Sequence, residues 1–82
     1  MTTDEEKARL IQLLAARIKS IRLKSGHTNY ENFAFDNEIG RAQYGRYERG
    51  TDIRFTSLVK VVKAFNMTLE EFFSEGFDEL KD

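Results

Sequence analysis

Apolar residues recur every three or four positions along most of the chain, and that spacing predicts helices. Leu10, Leu14, Ile18 and Ile21, flanked by Ile11 and Leu13, mark a long first helix over about residues 4–24. Asp4, Glu5 and Glu6 stand at its start, where carboxylates favour the positive end of the peptide dipole. Ser25-Gly26 ends it, since glycine takes the left-handed conformation without a Cβ penalty. Thr28-Asn29-Tyr30-Glu31 reads as a capping box ahead of Phe33 and Ala34, opening a short second helix over about 29–36. Asp36-Asn37-Glu38 makes a tight connection, and Ile39 is the apolar residue of the turn. Gly40 opens a third helix over about 41–49 that stops at Gly50.

Thr51 to Arg54 is polar and predicts a loop. Beyond it, Phe55, Leu58, Val59, Val62 and Phe65 lie on one face of a fourth helix over about 55–65, capped by Thr56 or the residue just before it. The β-branched Val59, Val61 and Val62 favour a strand, but a spacing of three and four over this stretch fits a helix better than alternation does. Asn66 takes the position after the helix. Thr68-Leu69-Glu70-Glu71 is a second capping box, and Leu69, Phe72 and Phe73 give a fifth helix its apolar face. The expected architecture is all-α, five helices in one domain over residues 1–82, with an acidic tail at 74–82.

Eighty-two residues leave room for one modest core. With no Cys and one His, a disulfide framework, a Cys-based zinc site and a multi-His metal site are excluded, and no metal or cofactor is expected. The acidic start is unlike a signal peptide, and no apolar run approaches the ~18 residues of a membrane span. A cytoplasmic protein with no membrane partner is therefore expected. The net charge of −1 argues against a nucleic-acid partner until it is divided along the chain. Residues 16–65 carry ten basic and five acidic groups, whereas residues 66–82 carry one and six. Attraction to phosphate follows local potential, so a basic middle with an acidic end remains compatible with such a partner.

Two short helices joined by a tight turn, the second bearing arginines and ending at glycine, outline a helix-turn-helix, whose second helix enters the DNA major groove. In the third helix Tyr44 and Tyr47 face inward, while Arg41, Ala42, Gly45, Arg46 and Arg49 form an outward stripe. The arginines offer paired donors to guanine edges or single contacts to phosphates. Glycine inside a helix costs about 1 kcal/mol relative to Ala, so Gly45 points to a close approach, either to DNA or to another helix.

In this order and register the residues resemble the Xre or lambda-repressor-like helix-turn-helix domains, over a core of about 17–73. The resemblance is carried by Arg17-Ile18-Lys19-Ser20-Ile21-Arg22 before Gly26, by Phe33-Ala34, by Glu48-Arg49-Gly50, and by Leu58 to Phe65 followed by Leu69-Glu70-Glu71-Phe72-Phe73. It implies a sequence-specific regulator bound to double-stranded DNA, and a homodimer is expected if the site is an inverted repeat. Arg22 and Glu48 match a family pair that salt-bridges beneath the DNA-facing surface. Arg41, Ala42 and Arg46 match positions that touch base edges, and Gly45 on the same stripe joins them. Tyr30, Thr51 and Arg54 match phosphate-binding positions, and Gln43 and Arg49 are assigned to phosphates as well.

Two departures stand out. The stretch from Gly26 to Phe33 is one residue longer than usual, leaving Thr28 or Asn29 as the cap, and Glu38 replaces the glycine of the turn, with Asn37 beside it able to absorb a positive φ. An alternative keeps the fold but makes it an antitoxin-like protein-binding module, using the first helix or the acidic Phe77/Leu80 tail, which are also the candidate dimer surfaces. Catalysis has little support: His27 stands alone, and Asp36 and Glu38 lie in a turn too exposed to tune a carboxylate pair.

Overall fold

The computed structural model describes residues 3–80; Met1, Thr2, Lys81 and Asp82, the outer ends of the acidic start and tail, lie outside the described residues. Within them the chain forms five α-helices, α1 (Asp4–Lys24), α2 (Tyr30–Asp36), α3 (Arg41–Arg49), α4 (Phe55–Ala64) and α5 (Leu69–Phe72), and a 3-10 turn at Asp78–Leu80. No strand occurs among the described residues. At ~1.5 Å per residue, the 21-residue α1 covers most of the 38 Å long axis.

Local chemistry explains where each helix starts. The Thr3 hydroxyl accepts from the Glu6 amide at 3.1 Å, above the three carboxylates of the first turn. The cap of α2 is Asn29, whose Oδ1 accepts from the amides of Glu31 at 2.8 Å and Asn32 at 3.1 Å. The Thr28–Glu31 box does not form, because the additional residue before Phe33 carries Thr28 out of reach of those amides. The Thr68–Glu71 box does form, at 3.0 and 2.9 Å. Arg54, not Thr56, occupies the cap position of α4 and makes no side-chain cap, since a guanidinium has no acceptor to offer.

Three helices end in one motif, in which the third residue past the helix bonds back across a left-handed neighbour. After α1 these bonds are His27 N–H to Arg22 O (3.2 Å) and Gly26 N–H to Leu23 O (3.1 Å). After α2 they are Ile39 to Ala34 (2.8 Å) and Glu38 to Phe35 (3.2 Å), and after α4 Met67 to Val62 (3.3 Å) and Asn66 to Lys63 (2.9 Å). The left-handed residues are Gly26, Glu38 and Asn66, at φ 87°, 58° and 59°. Asn37, expected to absorb the unusual φ of the turn, has φ −107°; Glu38 takes it instead, because the motif demands it one place later. Lys60 Nζ donates to the Glu38 carbonyl at 3.0 Å and ties this turn to α4.

The core gathers Ile18 and Ile21 of α1, Phe33 and Ala34 of α2, Ile39 of the turn, Tyr44 and Tyr47 of α3, Leu58, Val61 and Val62 of α4, and Phe72 of α5. Phe33 is at its centre, with ring centroids 5.3 Å from Tyr44 and 5.1 Å from Phe65. The face of α4 is rotated from the expected one: Val61 is buried in place of Val59, and Phe55, the first residue of α4, is 63% exposed. Leu10 is likewise exposed, on the part of α1 that extends beyond this cluster.

Arg17, 7% exposed, donates from Nε to Phe72 O (2.7 Å) and from Nη2 to Glu71 O (3.0 Å), so it satisfies terminal carbonyls of α5. The segment after α5 then returns along α1. Glu75 lies 3.6 Å from Arg17 and 3.7 Å from Lys24, and Glu79 pairs with Arg9. The described part of the acidic tail is thus packed on the first helix, and the two candidate dimer surfaces face each other within one chain.

A left-handed conformation costs a non-glycine residue about 1–2 kcal/mol, of which glycine's greater unfolded-state entropy returns part. Glu38→Gly is therefore expected to stabilise the fold by about 0.5–1 kcal/mol. Thermal unfolding checks this, and an unchanged or lower midpoint counts against it.

Candidate nucleic-acid interface

α3 is held by what it buries. Tyr44 is fully buried and Tyr47 nearly so, and α3 packs on both α1 and α2. The Tyr44 ring stacks on Tyr30 at 6.2 Å and meets Tyr47 edge-on at 6.3 Å. Beside it, Arg22 of α1 forms a two-pronged pair with Glu48, Nε to Oε2 at 2.6 Å and Nη2 to Oε1 at 2.9 Å. Its third donor, Nη1, reaches the His27 carbonyl at 2.6 Å. The two side chains are only 5% and 8% exposed. Hydrogen bonding to Glu48 holds the Arg22 pKa above its ordinary value. Burial, reinforced by the Glu48 carboxylate, pushes the Tyr44 phenol well above its usual range. The Tyr44 hydroxyl has no hydrogen-bond partner among the described residues.

With Tyr44, Tyr47 and Glu48 committed inward, Arg41, Ala42, Gln43, Arg46 and Arg49 are exposed. By helical periodicity Ala42 and Arg46 top the ridge, Gln43 lies on one flank and Gly45 and Arg49 on the other. Gly45 departs from the expected stripe, for it is buried. A Cβ there would stand 3.0 Å from both Tyr30 Cε1 and Arg49 Nη1. The close approach that glycine permits is made by the Tyr30 ring of α2, so Gly45, expected to contact a base, is covered by that ring instead.

Each flank is bordered by a groove. One is lined by Gln43, Tyr47, Thr51, Asp52, Ile53, Arg54 and Ser57, so it brings together three residues assigned to phosphates from sequence, Gln43, Thr51 and Arg54. The other is lined by Lys19, Arg22, Tyr30, Gly45, Glu48 and Arg49, and joins the remaining two, Tyr30 and Arg49. Lys19, given no role from sequence, lines the second groove; its signal was an exposed cation lying between the buried Ile18 and the paired Arg22 on α1. Arg41 lies apart at the start of α3, its guanidinium 4.0 Å from Glu31, and Arg46 has no ion pair among the described residues. Asp52, beside the first groove, is 3.8 Å from Lys7.

His27 is exposed, its ring edge-on to Phe33 at 5.1 Å. No group of three or more His, Cys, Asp or Glu side chains is placed to hold a metal ion among the described residues. No described helix is long and apolar enough to cross a membrane. A family model described as helix-turn-helix matches residues 18–72, from the second half of α1 through α5. No curated protein and no solved structure matches the chain.

Removing one partner of a buried, hydrogen-bonded pair leaves the other charge desolvated, at a cost of about 3–5 kcal/mol. Arg22→Ala is expected to lose that much stability, read by urea unfolding; a loss within the range of an exposed pair, about 1 kcal/mol or less, contradicts the structural role. Tyr44→Phe removes a hydroxyl that makes no hydrogen bond of normal geometry among the described residues and is expected to leave the unfolding midpoint unchanged or raise it slightly.

Proposed function

The chain belongs to the Xre and lambda-repressor-like helix-turn-helix family of DNA-binding domains, and from that premise we propose that it is a sequence-specific transcriptional regulator whose α3 lies in the major groove of a duplex. The single observation that carries the reading is the ridge of α3, cationic and free of large apolar groups, with a groove on either side. A major groove about 12 Å wide admits one helix, and the strands bounding it present phosphates to both flanks of that helix. Arg41, Ala42 and Arg46 are the base readers. Gln43, Thr51 and Arg54 take phosphates on one side of the ridge and Tyr30 and Arg49 on the other. Each guanidinium has a planar fork suited to guanine O6 and N7, while the small Ala42 keeps the helix close to the base edges.

Binding to an inverted repeat requires a second copy, with half-sites about one turn, ~34 Å, apart. The regulator acts in the cytoplasm, and neither His27 nor the Asp36/Glu38 turn has a catalytic role. A second reading, a protein-binding module on the same fold, is favoured by two aromatic side chains that the core leaves outside, Phe35 at 74% exposure and Phe55 at 63%.

Selection of bound sequences from random duplex DNA at stated salt, followed by a salt titration of the winner, separates the two. A defined site whose affinity falls steeply with salt supports the regulator, and no binding at low salt rejects it. Arg46→Ala is expected to relax preference at one base position and cost about 1–3 kcal/mol, whereas Arg54→Ala weakens all sequences alike and lowers the salt slope by about one. The same loss on every sequence from both changes contradicts the assigned roles.

A further inference from the structure

We infer that the groove between α1 and α3 is a one-phosphate cradle in which Lys19 is a third jaw, closing with Tyr30 and Arg49 on a single phosphodiester of the duplex backbone. The inference rests on the proposed reading of α3 and goes beyond it in assigning a ligand-binding role to α1.

The cradle starts from Gly45. The Tyr30 hydroxyl and Arg49 Nη1 stand 3.2 and 3.0 Å from the one point where a Gly45 Cβ would be. Two donors from different helices therefore converge above a floor with no side chain. Lys19 of α1 lines the same groove, which has a volume of about 210 Å³ and so exceeds one phosphate with its waters, a water taking about 30 Å³.

The charges agree with an anionic guest. Four ionisable side chains besides Tyr30 line the groove, and two of them, Arg22 and Glu48, are spent on each other at 2.6 and 2.9 Å. What remains is the ammonium of Lys19 and the guanidinium of Arg49, both exposed, and neither has an ion pair among the described residues. Unlike these two, the cations of α1 that meet the acidic segment are occupied: Arg9 by Glu79, Arg17 by Glu75 and two carbonyls, and Lys24 by Glu75 at 3.7 Å. An uncommitted ammonium and an uncommitted guanidinium facing one phenol, across a glycine floor, suit a tetrahedral oxyanion with several acceptor oxygens.

The test is a salt titration of duplex binding by fluorescence anisotropy, with single variants, the double variant and an off-groove control. Lys19→Ala and Arg49→Ala are each expected to weaken binding about tenfold near ~0.1 M salt and to lower the salt slope by about one. Because both act on one phosphate, the double variant is expected to lower the slope by about one as well, and its affinity loss to fall short of the product of the single losses. Lys24→Ala is expected to leave both unchanged. Replacing backbone phosphates one at a time by neutral methylphosphonates is expected to find a single position at which Lys19→Ala no longer matters. A double variant that lowers the slope by about two, or a Lys19→Ala protein indistinguishable from wild type, overturns the cradle while leaving the wild-type protein bound to DNA. No wild-type binding at low salt instead rejects the reading on which the cradle rests. Inorganic phosphate is the remaining probe: if it perturbs the Lys19 and Tyr30 resonances in the free protein while Lys19→Ala leaves DNA affinity intact, the groove serves free phosphate and the assignment to the duplex falls.

Discussion

One guanidinium, that of Arg22, determines how α3 is presented. It leaves α1, enters a nearly dry layer, pairs by two hydrogen bonds with Glu48 and donates a third to the carbonyl of His27. Three parts of the chain meet at that point: the end of α1, the loop before α2, and the last turn of α3. A hydrophobic pair of similar size would satisfy burial as well or better. What the ionic pair adds is direction, since a planar fork and a carboxylate fix both distance and rotation, whereas apolar packing tolerates sliding. The unbonded hydroxyl of Tyr44 beside this pair marks its cost, a polar atom enclosed without a partner so that its ring can fill the space beneath α3.

Much of this was legible in the chain itself, for identifiable reasons. The ends of α1 and α3 are set by glycines and by local apolar spacing, and both were read from sequence as the structure has them. The Arg22–Glu48 pair was reached through resemblance, because a contact between residues so distant in sequence leaves no local mark. Between Thr28 and Asn29, both open as the cap from sequence, Asn29 takes the position because competition among neighbouring polar residues is decided by where the following helix must point. Phe55 illustrates the reverse difficulty. Its spacing from Leu58 and Val62 is that of a core residue, yet whether the first turn of a helix is covered depends on the reach of the other helices.

Gly45 shows how a correct signal receives the wrong object. A glycine inside a helix does announce close approach, but nothing in the sequence says what approaches. Here it is the ring of Tyr30, and the consequence extends further than one contact. By letting α2 lie against α3, the missing side chain sets the spacing of the two helices and delivers the Tyr30 hydroxyl to the edge of the exposed ridge. Lys19 carries no mark in the sequence for a related reason, since a lone lysine on a helix resembles every other solvated lysine and only the groove beside it sets it apart.

The strapping of the acidic segment onto α1 has an effect on the whole molecule. Glu75 and Glu79 pair with Arg17, Lys24 and Arg9 of that helix, while Lys19 and the ridge of α3 carry cations without ion pairs among the described residues, so the uncompensated positive charge is concentrated about the α3 ridge. With a net charge of −1, a polyanion exerts almost no overall pull on such a particle. It exerts a torque instead, turning the cationic ridge forward as the surfaces near one another. Encounters would then be filtered by attitude before the surfaces touch.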